Sequence, residues 1–148
     1  IFAHCCRLIG NPLALHCEKQ VPIEVNVFPN EKLNGMTWDR IYRYRKHKSN
    51  RVVSTKCKQS NNKLVEMVGF GFGMELMVKE KKQAIVFESQ RFFWKWKKFM
   101  LIIPHWLSPG KTIVTQKAID NEQFEFTLKV THSILGEVFR QKGVFSKC

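Results

Sequence analysis

The sequence is short of acid, of paired cysteines and of long apolar runs, and each shortage excludes something. Twelve Asp and Glu stand against 25 Lys and Arg, a formal net charge of +13. Such a basic excess concentrates anions and favours phosphate-bearing or anionic-lipid partners, although it serves solubility equally well. The five cysteines (Cys5, Cys6, Cys17, Cys57 and Cys148) are odd in number, and no two are spaced Cys-x-x-Cys. Neither a disulfide framework nor a zinc site is therefore suggested, and a reducing, cytoplasmic setting is expected. No apolar run reaches the roughly 18 residues of a spanning helix. The G-x-S-x-G nucleophile pattern is missing. The five histidines never take His-x-x-x-His spacing, so neither a metal nor another cofactor is expected. The chain opens on Ile1 rather than Met, so either it was processed or an upstream part is missing.

What is present describes strands. A length of 148 residues with 44% hydrophobic content suits a single β-rich domain over residues 1–148. Ile1, Phe2, Cys5, Leu8 and Ile9 recur at helical spacing before Gly10-Asn11-Pro12, which predicts a short N-terminal helix. From Ile23 onward the pattern is alternation punctuated by turns. Ile23, Val25 and Val27 alternate, and Asn34-Gly35 signals a hairpin returning as Thr37 to Arg45. Strands are predicted over Arg51–Cys57, Leu64–Val68, from Phe72, and over Ala84–Trp96. Others follow at Thr112–Ile119, at Phe124–Thr131, the cleanest amphipathic strand, and at Val138–Phe145 with Phe139 and Val144 inward. The expected fold is mainly β: a curved antiparallel meander of about nine strands, an open barrel or half-barrel, with a short N-terminal helix.

The stretch Arg91–Pro109 holds three of the four tryptophans. Trp94 and Trp96 fall on one strand face and Lys95 and Lys97 on the other, and the tryptophan face is read as core. Phe99 to Leu107 is nearly all apolar and is broken by Pro104, so it is read as an apolar connection that something must cover. In Gly69-Phe70-Gly71-Phe72-Gly73 the dinucleotide-binding pattern fails at its last position. Close approach of another backbone, a bulge or a ligand explains those glycines better.

Three functions are open to this pattern. The first is a non-catalytic binding module whose concave sheet face holds a hydrophobic or amphipathic small molecule, or a partner or fused domain. Its lining would be Trp94, Trp96, Trp106, His105, Phe72, Phe124 and Phe126. The second is an enzyme or accessory domain, with His105 as acid or base and Arg40 as anion holder. Glu75 and Glu88, on neighbouring predicted strands, are read as ion pairs rather than an acid–base couple. The third is attachment to nucleic acid or an anionic membrane through the basic run Arg40–Lys58, with Arg40, Arg43 and Arg45 as anion-binding residues.

The order of several short motifs resembles a largely bacterial family, the domain of unknown function 4166. They are Arg7-Leu8-Ile9-Gly10-Asn11-Pro12, Trp38-Asp39-Arg40-Ile41-Tyr42 and Gly71-Phe72-Gly73-Met74-Glu75-Leu76. Pro104-His105-Trp106-Leu107-Ser108-Pro109, Phe124-Glu125-Phe126 and Leu135-Gly136 continue the series. The resemblance implies a β-rich cytoplasmic domain, standing alone or following a Rossmann-type dehydrogenase or epimerase domain, and it implies that residues upstream of Ile1 are missing; it supplies no catalytic residue.

Overall fold

The computed structural model describes residue 16, residues 18–59 and residues 63–146. The helix expected over residues 1–10 lies outside the described residues. Within them the fold is mainly β, and every pairing whose register is defined is antiparallel. The strands are β1 (Ile23–Asn30), β2 (Gly35–Tyr42), β3 (Asn50–Lys58), β4 (Leu64–Gly69), β5 (Phe72–Lys81), β6 (Ala84–Trp96), β7 (Phe99–Ile103), β8 (Lys111–Ala118), β9 (Gln123–His132) and β10 (Gly136–Ser146). The described helical structure is one 3-10 turn, Glu31–Leu33.

Two compact units divide the chain. One takes the residues up to Met74 with Phe93–Leu101, and the other takes Glu75–Phe92 with the residues from Ile102 onward. In the first unit the strand order is β1-β2-β3-β4-β5-β6, with β7 paired to β6. Its β1–β2 hairpin is closed by the 3-10 turn rather than by a two-residue turn. Asn30 accepts the Leu33 N–H on its side chain (3.1 Å), and Asn34 takes the left-handed conformation at φ 48°. The Asn-Gly signal thus places the reversal correctly and leaves its length open.

The core of this unit lies in two clusters. Tyr42, Tyr44 and Val52 pack with Val21 and Ile23, and Cys57, Val65 and Phe93 pack with Met67. The β6 face that is buried here is therefore that of Phe93, 2% exposed, whereas Trp96 is 61% exposed. Alternation shows which residues share a face but not which face meets a packing partner. Val65, Met67 and Cys57 supply that partner on the Phe93 side. A Cβ at Gly73 would stand 2.6 Å from the Phe93 ring, so glycine at this position admits the ring, as close approach requires.

In the second unit the order is β5-β6-β8-β9-β10. Leu128 and Val130 are buried on β9. Across from them the register sets Phe139, Gln141, Gly143 and Phe145 on the same face of β10, with a bulge between Glu137 and Phe139. Phe145 stacks on Phe124 with ring centroids 5.5 Å apart. The sequence reading placed both Phe139 and Val144 inward, but residues of opposite parity cannot share a strand face. Phe139 is half-buried, and Val144 is exposed. Where β6 and β8 part, the Ser89 hydroxyl accepts the Thr112 N–H (2.8 Å) and replaces a ladder bond.

The second difference from the sequence reading is β7. Phe99–Ile103 is a strand, and only Pro104 onward is turn. Lys97 and Lys98 form the reversal, with Lys97 at φ 52°. A two-residue turn built from lysine carries none of the Asn or Gly chemistry by which such turns are read.

Candidate functional site

Beside the tryptophans of β6 the first unit opens a groove of about 620 Å³, lined by Phe70, Gly71, Phe72, Trp94, Lys95, Trp96 and Lys97. Two hairpin tips make it: β4–β5, turning through Phe70 and Gly71, and β6–β7, turning through Lys97 and Lys98. The tips are tied by two bonds. The Lys95 N–H donates to the Gly71 carbonyl (2.8 Å) and the Trp94 indole Nε1–H donates to the Phe70 carbonyl (2.8 Å). Gly71 sits at φ +81°, and an added Cβ would run into the Lys95 carbonyl. Phe70 is left-handed at φ 46°, which costs a non-glycine residue about 1–2 kcal/mol. It projects its ring into solvent, 81% exposed.

The rings form a short series. Phe72 and Trp94 lie 6.1 Å apart, and Trp94 and Trp96 5.3 Å apart, within the range of favourable tilted aromatic contact. The lining contains no acid, hydroxyl, thiol or histidine; its charged groups are lysines. It offers an apolar floor with a cationic rim, in which Lys95 and Lys97 are the titratable side chains.

The other residues singled out from the sequence are distributed elsewhere. His105 and Trp106 occupy the exposed turn after β7 in the second unit. His132 braces that turn. Its Nδ1 accepts the N–H groups of Ile134 (3.2 Å) and Leu135 (3.3 Å), which leaves the proton on Nε2, 3.3 Å from the Trp106 carbonyl oxygen. Phe124 and Phe126 are half-buried on β9, and both contact Phe145. Of the proposed lining, the first unit therefore brings together Phe72, Trp94 and Trp96. Glu75 pairs with Arg91 (3.4 Å), and Glu88 pairs with Lys79 (3.2 Å) and Lys111 (2.5 Å), the ion pairs that strand positions suggest.

Much of the basic run Arg40–Lys58 is matched within the first unit. Arg43 pairs with Glu24 (2.6 Å), and Arg51 forks both oxygens of Asp39 (2.9 and 2.8 Å), holding that carboxyl below its usual value. At Arg45 it is the backbone N–H, not the guanidinium, that donates to the Glu18 carboxylate (3.1 Å). Arg40 is nearly buried. It donates to the Ser54 hydroxyl (2.6 Å) and lies 4.0 Å from Glu66, while its Nε is buried with no hydrogen-bond partner among the described residues. Lys56 reaches the same Glu66 (3.2 Å) and lies 5.0 Å over the Trp38 ring. Burial alone would push the Glu66 carboxyl up. Lys56 and Arg40, with hydrogen bonds from Ser54 and Lys56, outweigh it and hold the group below its usual value. Sequence reasoning missed this network because Glu66 reaches Lys56 only through the β3–β4 register.

Among the described residues no cluster of His, Cys, Asp and Glu could hold a metal ion, and no helix is long and apolar enough to cross a membrane. The described residues thus define an antiparallel β protein with an aromatic, lysine-rimmed groove. The chain belongs to the family described as Domain of unknown function (DUF4166), whose model matches residues 1–145. No curated protein and no solved structure matches the chain.

Proposed function

We propose that the protein is a non-catalytic binding module and that the groove between the β4–β5 and β6–β7 tips holds an amphipathic anion. The observation that carries this reading is the lining itself: Phe72, Trp94 and Trp96 in ring contact, Lys95 and Lys97 on the rim, and no acidic side chain among them. An apolar chain laid across the rings leaves water, while an anionic head at the rim meets unmatched ammonium groups. The volume lies within the roughly 300–1,000 Å³ typical of small-molecule sites. The enzyme reading would have to rest on Lys95 and Lys97 alone, since the lining holds no acid, hydroxyl, thiol or histidine to act beside them. Attachment through Arg40–Lys58 is disfavoured by the acids that already answer Arg40, Arg43, Arg51 and Lys56. A cytoplasmic setting belongs to the same proposal, and the free, buried Cys57 accords with it.

Titration of the tryptophan fluorescence with oleate, against methyl oleate and acetate as controls, tests the reading. Oleate binds, and both controls bind weakly or not at all. Trp96→Ala lowers oleate affinity by about tenfold, equivalent to about 1.4 kcal/mol, with the unfolding midpoint unchanged because Trp96 is exposed. Equal oleate affinity in wild type and Trp96→Ala would remove the groove from the account.

A further inference from the structure

The two tips expose more apolar surface than the groove uses. At the two tips Phe70 is 81%, Trp96 61%, Phe99 83%, Met100 55% and Leu101 63% exposed. Phe99, Met100 and Leu101 are consecutive, so apolar side chains stand out on both faces of β7, a strand that pairs only with β6 among the described strands. Exposed apolar clusters of this kind mark interaction sites. Their setting is cationic. Between Glu88 and Asp120 the sequence has no acid, and between Glu66 and Glu75 it has none either, so both tips fall in acid-free stretches. Lys95, Lys97 and Lys98 form no ion pair among the described residues, whereas on β3 Arg51 and Lys56 are answered by Asp39 and Glu66.

We infer that the paired tips dock on an anionic bilayer, with Phe70, Trp96, Phe99 and Met100 entering the headgroup and upper acyl region and Lys95, Lys97 and Lys98 meeting lipid phosphates and carboxylates. Tryptophan favours that interface because its ring is apolar and its N–H is polar. Shallow burial of an apolar surface, reinforced by attraction to anionic lipid, is the general mode of peripheral attachment. Each juxtamembrane lysine adds a favourable electrostatic term that salt weakens. The two bonds between the tips present both hydrophobic ends together, so docking orders little that is not already ordered. A protein partner reading β7 by strand addition would use its free backbone edge. It would leave the lysine turn and Phe70 unexplained, and the charge complementarity favours lipid. Docking would bring the mouth of the groove to a source of amphipathic anions. To that extent the inference rests on the reading of the groove, but Phe99, Met100 and Lys98 lie outside its lining and can be tested apart from it.

The experiment is sedimentation of the full chain with vesicles of phosphatidylcholine, with and without phosphatidylserine, at low and high salt. Trp96 quenching by brominated lipid is read as the difference between wild type and Trp96→Phe. The expected result is binding only to the phosphatidylserine vesicles, weakened by salt, with Trp96 quenched. Phe99→Ser and Lys98→Glu, both outside the groove lining, each reduce partitioning by about tenfold or more while leaving oleate binding and the unfolding midpoint within error. No partitioning at low salt would overturn the inference. So would partitioning that survives both variants, which would locate attachment in the general positive charge, or a Trp96 that brominated lipid does not quench. Self-association lost with Phe99→Ser in the absence of lipid, with no vesicle binding, would assign the strand edge to a second copy instead. Oleate binding that fails while vesicle binding persists would remove the groove and leave the docking surface standing.

Discussion

Replacing Glu66 by Gln is the sharpest test of how the first unit is held together. The Glu66 side chain is 7% exposed and Lys56 and Arg40 are each 18% exposed, so the variant leaves two cations facing a neutral amide in a largely dry site. Removing one partner of a buried ion pair costs about 3–5 kcal/mol because the other charge stays buried. Here two considerations reduce that figure. The amide still accepts a hydrogen bond, and the Lys56 ammonium keeps its place over Trp38. A loss of about 2 kcal/mol is expected for Glu66→Gln, within the roughly 1.5–3 kcal/mol range of a charged hydrogen bond, and about 3 kcal/mol for Glu66→Ala, at the lower end of the buried-pair range. Urea unfolding followed by circular dichroism measures both. The pH dependence adds a second readout. The folded carboxyl lies below its usual 4.5, so its contribution is complete above that pH and is lost as the pH falls through the folded value. Glu66→Gln should remove that part of the acid limb and leave the neutral-pH limb parallel to wild type. A change smaller than about 0.5 kcal/mol, the level of an ordinary surface substitution, with an unaltered acid limb would refute the reasoning.

Other consequences follow from single contacts. Gly71→Ala places a Cβ against the Lys95 carbonyl at a positive φ. It is expected to cost at least about 1–2 kcal/mol and to part the tips, seen as faster hydrogen exchange of the Lys95 amide. His132→Phe removes the acceptor for the Ile134 and Leu135 amides at a cost of about 1–3 kcal/mol; thermal unfolding and the exchange of those two amides report it. The Cys57 thiol is pushed above its usual 9.0 by burial, against a smaller opposing pull from Lys95. Iodoacetamide should therefore label it slowly at neutral pH, faster as the pH rises past that value, and at the rate of an ordinary thiol once the chain is unfolded in urea.

Local pattern and long-range pairing were legible in the sequence to different degrees. The bounds of β6 could be read directly, because Glu80 to Gln83 and the end of the Trp-Lys alternation mark them. The glycines around Phe70 were legible as points of close approach, and Gly71 and Gly73 meet the Lys95 carbonyl and the Phe93 ring. The buried face of β6 was not legible, since Phe93 and Trp94 are equally apolar and only Cys57 on β3 and Val65 and Met67 on β4 decide between them. Nor was β7: an apolar run ending in Pro104 looks the same whether it is strand or connection, and Lys97-Lys98 hides its turn among other lysines. Arg40, flagged as an anion holder by its aromatic and basic surroundings, is engaged by Ser54 and Glu66. Those are contacts between strands that no local window contains. Of the groove, Phe72, Trp94 and Trp96 were identifiable as exposed-or-core aromatics. Phe70 was passed over because its left-handed backbone cannot be read from a phenylalanine.

The central claim is that an amphipathic anion lies on the rings between the two tips, and the four tryptophans report on it separately. Single Trp→Phe variants assign the four indole N–H resonances in a nitrogen–proton correlation spectrum, which is then followed during addition of oleate. The account predicts that the Trp94 and Trp96 signals shift together and saturably, while Trp38, against Lys56, and Trp106, in the turn after β7, stay in place. Shifts confined to Trp38 or Trp106, with Trp94 and Trp96 unmoved, would contradict it.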